Sequence, residues 1–127
     1  MRLLLDTHVV LWWLDDRPAL GAKARELISV GENDVFVSAI TAAEIAIKSS
    51  IGKLRVPGDF EQQLDRNEFA PLPLRLHHGL AVEALPLHHR DPFDRLLIAQ
   101  AQCEELVVMT GDRAFAAYDV RTVDAAE

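Results

Sequence analysis

The sequence contains only one cysteine, Cys103, among 127 residues. An internal disulfide and a thiolate metal cluster are therefore excluded, and a reducing cytosol is the compartment that fits best. Cys103 falls on the apolar side of a predicted helix, so we expect it to be a small core residue and not a nucleophile.

Long apolar runs are also missing. No stretch approaches the ~20 apolar residues that a membrane-spanning helix needs, so we expect no membrane partner. Residues 1–5 are mostly apolar, but Asp6 interrupts them before a signal peptide is complete. A buried first strand, in a protein of the cytoplasm, is the better interpretation.

Basic residues are few as well: 13 Lys and Arg stand against 20 Asp and Glu, which gives a net charge of −7. This charge argues against a nucleic-acid partner, and no basic stripe is obvious. Four of the acids, however, fall at predicted strand ends or helix starts, and without them the net charge is only −3. Divalent cations bound to those four carboxylates would therefore weaken the objection.

Apolar runs and helical periods alternate along the chain. The runs with strand character are residues 3–5, 35–37, 106–109 and, more weakly, 70–74 and 120–123. Helical periods cover residues 8–14, 22–30, 42–51, 60–67, 77–85 and 92–104. This alternation predicts right-handed crossovers and a parallel sheet covered on both faces. We therefore expect a single three-layer α/β domain over residues 1–127, with a central parallel sheet of four to five strands flanked by helices.

Local signals mark one edge strand and two helix starts. Pro71 and Pro73 cannot donate hydrogen bonds to a sheet, so their segment is predicted at its edge. The sequence Thr41-Ala-Ala-Glu44 has the form of a capping box, which predicts a helix start there. Asp91 precedes Pro92, an arrangement typical of an N-cap followed by the first helical residue.

Four acidic residues stand where a predicted strand ends or a helix begins: Asp6, Glu44, Asp94 and Asp112. Each alone has an ordinary explanation as a helix cap, a first-turn acid or a turn residue. Together they fall on the predicted carboxyl edge of the sheet, where ligands of parallel α/β folds bind. Carboxylates gathered there repel one another unless a cation lies between them, and hard oxygen ligands favour Mg²⁺ or Mn²⁺. Two metal ions held by carboxylates are a recurrent device for cutting phosphodiesters.

Several neighbours of these acids are weaker candidates, and each retains a structural alternative. Ser38 and Thr110 end strands, so they either orient a carboxylate or water, or serve in capping and turns. Asp91 is interpreted as an N-cap first and as an outer metal group second. Arg95 and Arg113 directly follow acids, and a contact with substrate phosphate is weighed evenly against a solvated surface role.

Other charged and polar groups are predicted to be structural. Lys48 lies one turn after Glu44 and is expected to be its ion-pair partner. The adjacent pairs His77-His78 and His88-His89 lack the spacing of zinc ligands, so we expect surface or loop residues.

Two rival classes remain open from the residues alone. A phosphoacceptor receiver domain also gathers acids at strand ends, but it requires an acidic pair after the first strand, where this chain has Asp6 alone. A non-catalytic RNA- or protein-binding module would use its acids only to cap helices. That second class predicts no stabilisation by Mg²⁺ or Mn²⁺.

The chain resembles the PIN-domain ribonucleases, and specifically the VapC toxins of bacterial type II toxin–antitoxin pairs. The resemblance runs nearly end to end. Its segments are Leu3-Leu-Leu-Asp-Thr-His8, residues 37–48 with Gly52-Lys-Leu54, residues 89–101 beginning His-Arg-Asp-Pro-Phe-Asp-Arg, Val107-Val-Met-Thr-Gly-Asp112 and residues 115–118. One departure occurs before Glu44, where Ala42 and Ala43 replace the aromatic or larger residue that the family commonly has.

The resemblance implies that Asp6, Glu44, Asp94 and Asp112 form an acidic quartet, with Asp6 and Asp94 as principal metal ligands. It also implies Mg²⁺-dependent cleavage of RNA, with Mn²⁺ as a substitute, inhibition by a cognate VapB-like antitoxin, and a homodimer. The expected function is a toxin endoribonuclease. The alternatives are a non-catalytic RNA- or protein-binding module and a metal-dependent nuclease acting on DNA.

Overall fold

A computed structural model describes residues 1–56 and 58–127. Five parallel strands form one sheet: β1 (Arg2–Leu5), β2 (Asp34–Ser38), β3 (Ala70–Leu72), β4 (Val107–Thr110) and β5 (Thr122–Asp124). The described residues also form six α-helices: α1 (Thr7–Leu14), α2 (Ala22–Ser29), α3 (Ala39–Ser50), α4 (Phe60–Arg66), α5 (Leu76–Ala81) and α6 (Pro92–Glu104). Two 3₁₀ turns lie at Val82–Ala84 and Arg113–Ala117. The predicted α/β fold with a parallel sheet of four to five strands is confirmed.

Side-chain alternation along the strands builds one core on each face of the sheet. Leu3 and Leu5 of β1 are fully buried in a cluster with residues of α1 and α2. Leu4, between them, belongs to the opposite cluster together with Leu97 of α6. Every residue of β4 is buried. Because both faces of the sheet are covered, its central strands need not alternate apolar with polar residues.

The strand order is β3-β2-β1-β4-β5, so β1 is central. The chain runs outward from β1 through β2 to β3, and then returns to place β4 and β5 on the other side. The carboxyl ends of β1 and β4 therefore flank the point where the direction of winding reverses. Ligands of open α/β sheets bind at such a point. Asp6 directly follows β1, and Asp112 comes two residues after β4.

The start of α3 differs from the prediction. The helix begins at Ala39 because Ser38 is its N-cap, and the Ser38 hydroxyl accepts a hydrogen bond from Ile40 N at 3.0 Å. Thr41 and Glu44 consequently lie inside the helix, and the predicted capping box is wrong. Both side chains lie against the hydroxyl of Thr7 in α1, and this shared partner explains their spacing of three residues.

Cys103 and His78 also lie elsewhere than predicted. The middle of α6, Leu97–Ala101, is buried, whereas Cys103 lies near the C-terminal end of the helix, where it is exposed to solvent and is not a core residue. His78 is fully buried in α5, where it was expected at the surface. Its Nδ1 accepts a hydrogen bond from Arg75 N at 3.0 Å, and its Nε2 lies 3.3 Å from Glu104 Oε1 at the end of α6.

Over the part of the chain that the structure describes, every helix is too short or too polar to cross a membrane.

Candidate metal centre

Asp6 joins β1 to α1 at the carboxyl edge of the sheet. Its backbone N–H donates to Met109 O at 3.0 Å, which extends the pairing of β1 with β4 by one residue. Its Oδ1 accepts a hydrogen bond from Thr7 N at 2.8 Å and so caps α1. Its Oδ2 accepts one from Thr110 Oγ1 at 2.7 Å and lies 3.3 Å from His8 Nδ1. The carboxylate is buried and fixed from both sides.

Glu44 is the sixth residue of α3, and the helix carries it over the same edge. Only 5% of the residue is exposed. Its Oε1 accepts a hydrogen bond from Thr7 Oγ1 at 2.7 Å, and that hydroxyl also lies 3.1 Å from Thr41 Oγ1. Its Oε2 accepts one from Lys48 Nζ at 2.5 Å, so the predicted ion pair of Lys48 is present. Both oxygens of Glu44 are therefore held by the protein.

Asp94 is the third residue of α6, and the start of that helix sets its position. Asp91 is the N-cap, as predicted, and its Oδ1 accepts hydrogen bonds from Phe93 N at 2.8 Å and Asp94 N at 3.2 Å. Pro92 occupies the first helical position, where its missing N–H costs nothing. Asp94 Oδ2 lies 2.9 Å from His89 Nε2.

Asp112 follows β4 and caps the 3₁₀ turn Arg113–Ala117. Its Oδ1 accepts a hydrogen bond from Ala114 N at 2.9 Å, and its Oδ2 accepts one from His89 Nε2 at 2.9 Å. Its backbone N–H donates to Thr110 Oγ1 at 3.0 Å. Thr110 therefore connects two acids, since the same hydroxyl donates to Asp6.

The charges of these acids act on one another. Burial raises the pKa of Asp94 to about 7, and the negative charges of Asp6, Asp91 and Glu44 add to the rise, while His89 opposes it. Burial also raises the pKa of Asp6, against the effect of His8 and two hydrogen bonds, and the charge of Glu44 adds to the rise. Asp6, Glu44 and Asp94 therefore influence one another's pKa values, and Thr7 joins two of them by its hydrogen bonds to Asp6 and Glu44.

The pKa values of Asp112 and His89 shift in the directions that favour the charged form of each side chain. Burial alone would raise the pKa of Asp112, but the Ala114 N–H and the hydrogen bond from His89 outweigh it, and the pKa is lowered. Burial alone would lower the pKa of His89, but the hydrogen bond to Asp112 and the charges of Asp94, Asp112 and Asp91 raise it. The two residues stabilise each other as a pair.

The residues fit a divalent cation. Carboxylate oxygens are the ligands that Mg²⁺ and Mn²⁺ prefer, and a carboxylate oxygen of Asp94 lies within 4.8 Å of one of Asp112. Asp94 Oδ1 accepts a hydrogen bond from none of the described residues. Since no fully buried side-chain oxygen among those residues lacks a partner, this atom keeps some exposure to solvent. An unpartnered oxygen on an acid whose pKa is raised by burial and by neighbouring acids can accept a cation.

The sequence matches the PIN domain family over residues 3–121. The chain belongs to the PIN domain family.

The structural neighbours of this PIN domain are the VapC and FitB toxins of toxin–antitoxin complexes. VapBC2 from Rickettsia felis, bound to a DNA fragment from its promoter, has a chain that superposes with a TM-score of 0.72 at 16% identity, covering 97% of this chain and 98% of that one. FitAcB from Neisseria gonorrhoeae gives 0.70 at 24% identity, over 97% of both chains. VapBC-5 from Mycobacterium tuberculosis gives 0.60 at 20% identity, over 96% and 97%. No curated protein matches this chain. At these identities the likeness is one of fold.

The weaker candidates occupy different places in the PIN domain. Ser38 caps α3 and donates to Gln100 Oε1 at 2.6 Å, and among the described residues it makes no hydrogen bond to the four acids. Arg95 is turned away from them: its guanidinium donates to the carbonyls of Pro86 at 2.9 Å and Val82 at 3.2 Å. Arg113 is exposed beside Asp112.

Sequence reasoning missed two histidines that contact the acids. His89 lies in a loop, as expected, but its ring is largely buried against Asp94 and Asp112. His8 contacts Asp6 through Nδ1, and its Nε2 accepts a hydrogen bond from Gly111 N at 2.8 Å. Proximity in sequence to Asp6 was a usable signal for His8. For His89 the zinc-ligand spacing of adjacent histidines is the wrong criterion, because its partners Asp94 and Asp112 are carboxylates.

A second group with ligand chemistry, His77, His78 and Glu104, lies between α5 and the end of α6. His78 Nδ1 accepts from a backbone N–H, so the neutral ring carries its proton on Nε2, toward Glu104. A donor directed at a carboxylate joins the two helices and leaves no ring nitrogen free to bind a metal.

Proposed function

We propose that this PIN domain is the toxin of a type II toxin–antitoxin pair and acts in the cytoplasm as a Mg²⁺-dependent endoribonuclease. The supporting observation is the meeting of Asp6, Glu44 and Asp94 at the switch point of the sheet, with Asp112 beside them. Capping explains the positions of Asp6 and Asp112. It does not explain Glu44, which is buried in the interior of α3 and caps nothing. Thr7 and Lys48 hold this carboxylate in place, and a cation at the same edge would give a buried acid there a function.

Asp6 and Asp94 would hold the divalent ion, with Glu44 and Asp112 completing its surroundings directly or through water. Mn²⁺ is expected to substitute for Mg²⁺. When bound, the ion lowers the pKa of the attacking water and offsets the negative charge that develops on the phosphate.

The protein's own part is to keep the acids oriented before the ion arrives. Thr110 holds Asp6 through Oδ2, and Thr7 holds both Asp6, by its N–H, and Glu44, by its hydroxyl. Preorganised ligands of this kind need no rearrangement at the moment of reaction. Of the two arginines, Arg113 is free to reach a substrate phosphate from the surface, whereas Arg95 is engaged with backbone carbonyls.

An antitoxin partner is supported by an open groove of about 730 Å³ beside α1, whose apolar lining includes Leu11, Trp12, Leu14, Leu54 and Phe60. Apolar side chains exposed along such a groove suit an amphipathic helix of a partner. The acidic centre would in addition attract a basic side chain of that partner. A homodimer is supported by exposed apolar side chains on α3 and α5, namely Ile47, Leu76 and Leu80.

The direct test is cleavage of RNA. The chain, purified free of any co-expressed small partner, is incubated with total cellular RNA and Mg²⁺ or Mn²⁺, with EDTA as control. Discrete fragments that EDTA abolishes are expected, and end mapping gives the target sequence. Asp94→Asn should reduce the rate by more than about 100-fold with the fold intact, because it removes a principal ligand.

Two results would replace the proposal. Cleavage of single- or double-stranded DNA with RNA left intact would make the chain a DNA nuclease. Intact RNA and DNA from folded, metal-loaded, partner-free protein would favour the non-catalytic binding module. Full activity of Asp94→Asn would remove the quartet from the reaction whatever the substrate.

A further inference from the structure

His89 is the residue of the acidic centre to which the proposed reaction gives no role. We infer that His89 is a positioning residue: its Nε2–H engages Asp112 Oδ2 and lies against Asp94 Oδ2, which holds Asp94 so that its other oxygen, Oδ1, takes the metal ion with Asp6. The inference rests on the proposed function because it concerns the same ion. It concerns ion binding, however, and does not depend on the substrate.

The hydrogen bonds of the ring determine which nitrogen carries its proton. Nδ1 of His89 accepts a hydrogen bond from Asp91 N at 3.2 Å. An accepting nitrogen bears no proton, so the neutral ring is protonated on Nε2. That N–H donates to Asp112 Oδ2 at 2.9 Å and also lies 2.9 Å from Asp94 Oδ2. His89 is therefore a donor between two carboxylates, and neither ring nitrogen is free to bind the ion.

This single donor makes the two aspartates unequal. Both oxygens of Asp112 are engaged, one by Ala114 N and the other by His89. Asp94 has one oxygen facing His89, and the other keeps some exposure to solvent. Metal-ligating groups are commonly oriented by an outer shell of hydrogen bonds, and here the outer shell includes another acid of the quartet. Asp112 then acts through its charge and through His89, and Asp94 acts as a ligand.

The loop that carries His89 is fixed to the helix that carries Asp94. The Tyr118 hydroxyl accepts hydrogen bonds from His88 N at 3.1 Å and His89 N at 2.8 Å. The guanidinium of Arg95, the neighbour of Asp94 in α6, donates to the carbonyls of Val82, Leu85, Pro86 and His89. These bonds hold the ring at a set distance from Asp94, which a positioning role requires. They also explain why Arg95 lies away from the substrate side.

Three substitutions of His89 distinguish the effect of its Nε2–H donor from the effect of the other groups of the ring. Gln can place an N–H where Nε2 is, Asn can accept from Asp91 N but cannot reach the aspartates, and Leu does neither. Binding of Mn²⁺ to the partner-free protein is measured by calorimetry, with circular dichroism as a check on folding. His89→Leu and His89→Asn should raise the Kd by about 10–100-fold, and His89→Gln by no more than about threefold, as for other outer-shell groups.

His88→Gln is the matched control, since it makes the same substitution in the neighbouring residue, whose ring is exposed and packs on the edge of Tyr118. Its Kd should equal that of the wild type. An unchanged or lower Kd in His89→Leu would overturn the inference, because His89 would then be idle or in competition with the ion. Loss of binding in His89→Gln equal to that in His89→Leu would exclude the donor as the cause.

A second measurement needs no metal. Nitrogen-15 NMR of the histidine rings at pH 8.5, in EDTA, should show His89 with its proton on Nε2, and Asp112→Asn should shift that signal. A proton on Nδ1 would overturn the inference. If the wild type binds Mn²⁺ with the expected dependence on His89 yet cuts no RNA, the proposed function fails and the positioning role stands.

Discussion

Asp94 and Asp112 lie against the same imidazole nitrogen, yet their pKa values move in opposite directions. The hydrogen bond from His89 goes to Asp112, which also has a backbone donor at its other oxygen. Asp94 is more deeply buried and receives no such bond from His89, and the negative charges of Asp6 and Glu44 repel its carboxylate. Of these two carboxylates, Asp94 is therefore the one whose negative charge is more costly in the metal-free protein.

This difference predicts a pH dependence of stability. The folded-state pKa of Asp94, about 7, lies above the ordinary value of 3.8. The folded chain thus holds a proton that the unfolded chain releases, and the resulting stabilisation is present below pH 4 and is lost as the pH rises through 7. In EDTA, Asp94→Asn should therefore be more stable than the wild type at pH 8, and the difference should shrink toward pH 5.

The gain in Asp94→Asn at pH 8 should be on the order of 1–2 kcal/mol after allowance for solvent screening of a partly exposed group. Urea unfolding at several pH values measures it. Asp119→Asn, at an exposed position outside the centre, is the control and should show no trend of this kind. A wild type that gains stability relative to Asp94→Asn as the pH rises would contradict the assignment of a raised pKa.

At the same scale, the sequence identified the acids but not what holds them. Asp6, Asp94 and Asp112 adjoin strands or helix starts that local patterns reveal, so their shared edge follows from the topology. The partner of His89 is 23 residues away, and Thr110 lies 104 residues from Asp6. Contacts at such separations depend on how loops are packed, which periodicity does not encode.

Among the elements, α3 affects the centre because its start sets the position of Glu44. Ser38 caps the helix, and its hydroxyl also donates to the buried Gln100 Oε1 at 2.6 Å. The local motif Thr-Ala-Ala-Glu predicted a later start, since a capping box and a buried network share the same residue types. Here Thr41 and Glu44 are paired with Thr7 of α1 and not with backbone amides of their own helix.

Ser38→Ala should therefore be costly for an alanine substitution. It removes the N-cap and leaves a buried amide oxygen without its donor, which together should lower the free energy of unfolding by about 2–3 kcal/mol. Ser50→Ala, at an exposed position of the same helix, should change it by less than about 0.5 kcal/mol. Denaturant unfolding compares the two, and equal values would show that the cap does not hold α3 in place.

At the scale of the whole molecule, the acidic net charge and the acidic centre are related, because four of the acids that produce the net charge belong to the centre. The −7 charge opposes approach to a polyanion, and it is partly concentrated at one edge of the sheet. The strand order places the carboxyl ends of β1 and β4 side by side. The topology of the fold therefore also brings the acids close enough to repel one another. The fold itself was predictable, because buried strands and amphipathic helices leave period signals. The net charge alone did not predict whether the partner is a polyanion, because cations bound to the acids would change the charge that the partner meets.

Cation binding should therefore stabilise the whole domain and not only the edge. A ligand that binds only the folded state at 100 times its Kd adds about 2.7 kcal/mol to the free energy of unfolding. For a domain of this length the Tm should then rise by roughly 8–15 °C. Thermal unfolding in Mn²⁺ or Mg²⁺, against NaCl of equal ionic strength, measures this rise and separates binding from simple screening.

The double variant that carries both Asp6→Asn and Asp94→Asn is the control, and it should show no response to the divalent ion beyond that of NaCl. A rise of the same size in the double variant would place the bound ion elsewhere, and no rise in the wild type would leave the four acids with structural roles alone.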